Sequence, residues 1–373
     1  MENVKVFWGS DDRFNKKIEK LKERHQLSDI LAHIGKQEIA IDGIETKEKQ
    51  PPLEINNLVV NTDDYGSINE WALLGFYNNI LQNKKLIVKN LWLNNPPIKI
   101  YEDIKKACLN ILEEHKSEYI PISIEIIRQM VEIYQQRVIG QKNVMAQIAS
   151  SLYLLKNNTR KKPVSLLFLG ESGVGKTETA KFISEYLGNE MVRIQFSMQQ
   201  TNEAYKFIFG SEHGENSLAR ELIRRKTNIV LLDEFDKVHP SFYNAFYQMF
   251  DEGIFVDSNY SVNMEKSIII CTSNYTSCRE AEKHLGMPIY SRFSKVIQFN
   301  EISNIDRISI ASKIYDSLIK KIDLDDAKLI KNNKILEFYI EYINKGSYKN
   351  IRMLKNDMED SINHEILKKL NII

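Results

Sequence analysis

The chain has 373 residues, 43% hydrophobic and 27% charged, with a formal net charge of +1. That length exceeds one ordinary core and predicts two or three domains of globular rather than disordered composition. A near-neutral balance with no charged arm gives no support to a nucleic-acid or membrane-surface partner. The opening residues Met1 to Trp8 lack the apolar stretch of a signal peptide, and no apolar run reaches the ~18–20 residues that span a bilayer. Cys108, Cys271 and Cys278 form no C-x-x-C pair. A cytoplasmic protein with reduced thiols is expected.

In chain order, residues 1–120 carry the fewest signals. Phe14 to Ile30 alternates charges with Ile18, Leu21 and Leu27 and predicts a helix, its run from Lys16 to Arg24 a solvated face. Thr46 to Pro52 reads as a polar connection, Trp71 to Tyr77 and Tyr101 to Leu112 as helices, Leu86 to Val88 as a strand, and Asn94 to Pro97 as a turn. Together they predict a small mixed α/β domain with Trp8, Trp71, Phe76, Tyr77 and Trp92 in its core.

His115 to Pro121 is polar, ends in proline and marks the expected boundary. A helix over 122–136 with Ser123 as N-cap follows, then Arg137-Val-Ile-Gly-Gln141 and a second helix through Leu155. Val164 to Leu169 is an apolar run of strand length, and it leads into Gly170-Glu-Ser-Gly-Val-Gly-Lys176-Thr177, which fits G-x-x-x-x-G-K-[ST]. Glu178 to Leu187 continues as a helix. Strand, glycine loop and helix in that order aim backbone N–H groups and a helix N-terminus at one point, the arrangement that binds a polyphosphate. Gly170, Gly173 and Gly175 permit the tight turn around Val174, Lys176 can reach the β- and γ-phosphates, and the Thr177 hydroxyl can ligate Mg²⁺, with Glu178 opening the helix.

Met191 to Ser197 predicts another strand. Asn228-Ile-Val-Leu-Leu-Asp233-Glu234 is a buried-type strand ending in two carboxylates. Asp233 at such a strand end can hold the Mg²⁺ shell together with Thr177, and Glu234 can act as general base on an attacking water. A further strand, Ser267 to Asn274, ends in a polar triplet.

These motifs, with Val138-Ile-Gly-Gln141 about thirty residues ahead of the P-loop, resemble the AAA+ ATPases, in particular the second ATPase module of the Clp and heat-shock disaggregase branch. The extension Asp236-Lys237-Val-His239-Pro240 resembles that branch specifically. The resemblance covers residues 122–373. It implies a P-loop α/β subdomain with a parallel sheet flanked by helices at 121–301, a small helical lid at 302–373, and an accessory domain at 1–120. It implies that Val138 and Ile139 contact adenine, and that Asn274 orients the lytic water. Arg292, within Gly286-Met-Pro-Ile-Tyr-Ser-Arg292-Phe, would be an arginine finger reaching the neighbouring subunit. The lid's sensor cation falls on either Lys349 or Arg352, because Gly346-Ser-Tyr-Lys349-Asn350-Ile-Arg352 matches the family only imperfectly. ATP and Mg²⁺ as ligands, hydrolysis to ADP and phosphate, assembly into a homo-oligomeric ring with a hexamer among the alternatives, and a protein partner held by residues 1–120 are what the resemblance implies.

One departure limits it. Clp-type unfoldases carry an aromatic-glycine pore loop between the second and third strands, whereas here that interval reads Phe207-Ile-Phe-Gly210-Ser-Glu-His-Gly-Glu-Asn-Ser-Leu218. Phe209 is expected to pack before the turn, and no Ile-Gly-Phe peptidase-docking tripeptide occurs; Leu74-Gly-Phe76 lies in the wrong domain. Remodelling of a protein partner, or a nucleotide-gated assembly switch such as serves multi-component systems including bacterial anti-phage defence, is expected ahead of threading. A DNA motor is disfavoured by the neutral charge.

Overall fold

The computed structural model describes all residues except 37–51, 70–72, 158–159, 199–200, 213, 331–333 and 349. Two five-stranded parallel sheets, each with two apolar clusters, and a helical C-terminal bundle around a fifth organise the chain.

The first sheet contains β1 (Asn3–Trp8), β2 (Arg24–Gln26), β3 (Leu53–Val60), β4 (Leu86–Asn94) and β5 (Leu112–Lys116), in the order β2-β3-β4-β1-β5. All of its pairings are parallel. The expected helix over Phe14 to Ile30 is interrupted: helices span Asp11–Ile18 and Leu27–Lys36, with β2 between them. Burial explains the break, because Phe14 and Ile18 pack beside Phe7 and Val59, whereas Leu27 and Ile30 join the other side's core of Val4, Ile55 and Leu91. The expected helix Tyr101 to Leu112 also ends early. Ile98–Cys108 is helical, but Leu112 begins β5, which pairs with β1 through Lys116, so the polar connection starts only at Ser117. Phe76 is fully buried, Trp8 and Tyr77 pack at the core margin, and Trp92 lies against the smaller cluster. Trp71 and most of Thr46 to Pro52 lie outside the described residues.

The second sheet holds β6 (Val164–Leu169), β7 (Val192–Gln195), β8 (Ile229–Asp233), β11 (Ile268–Thr272) and β12 (Lys295–Gln298), in the order β12-β6-β11-β8-β7 and parallel throughout. β6, β8 and β11 are buried along their whole length, as the central strands of a parallel sheet covered by helices on both faces must be. The short antiparallel hairpin of β9 (Ile254–Val256) and β10 (Ser261–Asn263) packs on this unit, with Phe255, Tyr260 and Val262 buried in its core. The helix Ile124–Arg137 begins where expected, with the Ser123 side chain accepting from the amide of Ile126.

Helices Asn304–Ile319, Leu324–Ile330, Ile335–Asn344 and Ile351–Lys369 form the C-terminal bundle around Leu318, Tyr339, Leu354, Met358 and Ile362. Among the described residues no helix is long and apolar enough to cross a membrane.

Candidate nucleotide site

The site is built at the carboxyl edge of the second sheet, where open parallel sheets place their ligands. β11 lies between β6 and β8, so the loop after β6, the Asn274 segment after β11 and the carboxylates ending β8 sit on three adjacent strands. Nothing in chain order announces that neighbourhood.

The loop Gly170–Gly175 carries three positive φ angles, 138° at Gly170, 87° at Gly173 and 105° at Gly175. Space and dihedral agree in requiring glycine there. A methyl group at Gly170 would come 2.8 Å from the Phe299 carbonyl oxygen, at Gly173 3.2 Å from Asn350 Oδ1, and at Gly175 3.1 Å from Val138 Cγ1. Val138 is therefore against the loop, with half-buried Ile139 beside it. Val174 is buried, and Thr177 and exposed Glu178 stand in the first turn of the helix Lys176–Glu185. Gln141, only 1% exposed, donates to the Val174 carbonyl at 3.1 Å and the Asn300 carbonyl at 2.8 Å, and accepts from the Asn300 amide at 3.1 Å. This amide ties the loop to the chain that follows β12, a role its place in the motif had not suggested.

Lys176 is buried and folds back onto carbonyl oxygens: Gly170, Glu171 at 2.8 Å, and the side-chain oxygen of Asn274 at 3.4 Å. Burial lowers its pKa to about 8, opposed by the carboxylates of Asp236, Asp233 and Glu234, and assisted by the Arg352 guanidinium. The lysine thus registers both the acidic strand end and the lid helix. Exposed Arg352 is in the first turn of that helix, whose N-cap Asn350 accepts from the Arg352 amide at 2.8 Å and lies against Gly173. Lys349, the other candidate for the lid cation, lies outside the described residues.

Asp233 is 5% exposed, and its two oxygens are already engaged: Thr272 Oγ1 donates to Oδ1 at 2.5 Å and Arg193 to Oδ2 at 2.6 and 3.0 Å. Glu234 adopts left-handed φ and ψ of 57° and 46°, and its amide donates to Thr272 Oγ1 at 3.0 Å. That turn separates the directions of the two carboxylates, as consecutive residues of one strand end require. Arg193, Thr272 and Asp236 are site residues the motifs missed. Parallel pairing of β7 with β8 brings in Arg193, and Asp236 Oδ1 is buried with no hydrogen-bond partner.

Arg292 is the predicted residue that the fold does not bring to this chain's own loop. Its carbonyl accepts from Ser165 Oγ at 3.0 Å near the amino end of β6, the opposite end from the P-loop. Its guanidinium pairs with Asp251 at 2.7 Å, reaches the Pro288 carbonyl and stacks 4.2 Å from the Tyr247 ring centroid.

The donor set fits a magnesium polyphosphate: a glycine cradle closed to any Cβ, a lysine among carbonyls it can leave, a helix N-terminus with a hydroxyl, and carboxylates at the end of β8, one strand beyond β11. Residues 161–300 match the family model of the AAA domain, Cdc48 subfamily. The chaperone protein ClpB of Malacoplasma penetrans is 27% identical over 322 residues, 78% of this chain and 44% of that protein. ClpB of Helicobacter hepaticus is 31% identical over 240 residues, 57% of this chain and 27% of that protein. The chain thus spans less than half the length of these curated relatives. A closed-state reconstruction of Hsp104 with ATPγS and FITC casein superposes with a TM-score of 0.55 at 15% identity, covering 98% of this chain and 89% of that one, which bears on the fold. Loop, strand ends and relatives agree: residues 161–300 match an AAA domain, and the chain carries an AAA+ ATPase module resembling the Clp and heat-shock disaggregase branch.

Proposed function

We propose that the chain binds Mg²⁺·ATP at Gly170–Thr177 and hydrolyses it to ADP and phosphate, using the cycle to control a protein partner held by residues 1–120. The carrying observation is the convergence of Lys176, Asn274 and Asp233–Glu234 on three adjacent strand ends. Backbone amides of the loop and Lys176 would hold the phosphates, Val138 and Ile139 would flank the base, and Arg352 or Lys349 would approach from the lid. Thr177 and Asp233 are the residues suited to hold Mg²⁺, which when bound neutralises charge on the phosphates. Glu234 would accept the proton of the water that attacks the γ-phosphorus as the bond to the β-phosphate oxygen breaks, and Asn274 would orient that water.

Arg292 lies away from its own loop, which supports a role in trans and hence function as a ring of copies in the cytoplasm. Buried clusters confined to the first unit, to the second and to the C-terminal bundle support dividing the chain into residues 1–120, 121–301 and 302–373. Release of phosphate from ATP with and without Mg²⁺ tests the reading. Lys176→Ala should lose nucleotide affinity, and Glu234→Gln should retain ATP while turnover falls ~10²-fold or more. Undiminished turnover in Glu234→Gln would remove it from the base role.

A further inference from the structure

At the carboxyl edge of the first sheet, where an open α/β fold presents its ligand crevice, this chain places two of its own arginines. Arg224 donates to Asp11 Oδ2 at 2.5 Å and, through both terminal nitrogens, to Asp63 at 2.9 and 3.2 Å. Arg220, 6% exposed, donates to Asp63 Oδ1 at 2.6 Å and to the Gly214 and Glu215 carbonyls at 2.8 and 3.2 Å. Asp11 is fixed in turn by Thr62 at 3.0 Å and Asn94 at 2.8 Å, residues that follow β3 and end β4. Around the pair, Lys226 bonds Asp12 at 2.8 Å, and a methyl group added to either Gly66 or Gly214 would lie 3.0 Å from the other's Cα. The backbones of the two units approach closely there, and a Cβ on either glycine would force them to shift.

Two properties make this contact more than static packing. The short helix Leu218–Ile223 leads through Arg225 into β8, whose far end carries Asp233 and Glu234. Arg225 is bonded to Asn228 and to the Asn263 carbonyl at 2.7 Å and stacks on Tyr119 of the connection, which Arg13 of the first unit also faces. Asp63 is therefore linked through this helix to the strand that presents both carboxylates. The contact is also polar and incompletely satisfied: Arg220 Nε, Asn94 Oδ1, Tyr65 Oη and Tyr260 Oη are buried without partners. The Asp63 side chain is 67% exposed and that of Arg224 37%, so solvent screens these pairs and each nets little, while the unsatisfied groups subtract further.

We propose that the carboxyl edge of the first sheet is a docking surface whose occupant is this chain's own Gly214–Arg224 segment, and that docking is linked to nucleotide binding through β8. The linkage rests on the ATP reading above, whereas the docking does not. Because such coupling is reciprocal, loosening the dock must change ATP affinity even though no docking residue touches the nucleotide loop.

The test uses the full chain. Arg224→Ala should raise amide hydrogen exchange across residues 61–67 and 214–224 by about 10-fold or more and shift the ATP dissociation constant by roughly 5-fold or more. Asp63→Asn, which keeps the side-chain volume, should reproduce both effects if Arg224→Ala folds poorly. Lys5→Ala, which breaks the 3.5 Å pair with Glu113 elsewhere on the same sheet, should change neither. Raised exchange with ATP affinity unchanged within about twofold would overturn the coupling, and unchanged exchange would overturn the docking. Absence of ATP binding in the unaltered chain would overturn the ATP reading and the coupling together, while the exchange comparison would still decide the docking.

Discussion

The Arg193 guanidinium lies 2.6 Å from Oδ2 of Asp233, so the carboxylate best suited to a magnesium shell is neutralised by the neighbouring parallel strand. Removing the arginine leaves a buried charge with only the Thr272 hydroxyl. Arg193 itself is 39% exposed in its side chain, which screens the pair and places its loss below that of a fully buried one. Arg193→Ala should lower unfolding stability without nucleotide by about 1–2 kcal/mol, read by denaturant titration. An unchanged midpoint would show that water replaces the guanidinium at no cost.

Gln141 makes three hydrogen bonds in a site closed to solvent. Gln141→Ala strands the Val174 and Asn300 carbonyls and the Asn300 amide, and should cost about 2–3 kcal/mol. Because Val174 belongs to the phosphate loop, ATP affinity should fall as well. Loss of stability with full ATP affinity would confine the residue to holding the chain after β12.

Arg292 is spoken for by Asp251 within its own chain and must leave that carboxylate to act on a neighbour. A mixture of Arg292→Ala and Glu234→Gln subunits should recover hydrolysis, because some interfaces then join an intact finger to an intact base. No recovery at any ratio, with assembly confirmed by light scattering, would exclude a finger acting in trans.

Phe209 packs against Tyr205 at 4.8 Å and edge-on against Phe242 at 5.9 Å, and its carbonyl accepts from the Ser258 amide, so this aromatic beside the turn is engaged in packing. The segment after it lies against the first sheet through Gly214 and Arg220. The protein should therefore fail to unfold a stable tagged fluorescent substrate, and Phe209→Ala should destabilise the fold by about 1–3 kcal/mol. ATP-dependent unfolding that vanishes in Phe209→Ala, with ATPase activity intact, would restore threading.

The P-loop, the strand preceding it and the acidic end of β8 were legible because their chemistry is local. Glycines that must adopt positive φ, a lysine at fixed spacing and an unbroken apolar run each announce themselves within a few residues. The first sheet was not legible to that degree. β2 and β5 are short, polar edge strands whose existence depends on pairing with β3 and β1, far away in the chain, and no periodicity of their own marks Arg24–Gln26 or Leu112–Lys116. Tertiary structure alone decided that β11 enters between β6 and β8, which sets Asn274 beside Lys176, and that Arg193 meets Asp233. It also decided that Arg220 and Arg224 turn toward Asp11 and Asp63 rather than solvent. Strand order and the partners of charged side chains follow from which surfaces bury one another on folding, information that is distributed over the whole chain rather than written at any one position.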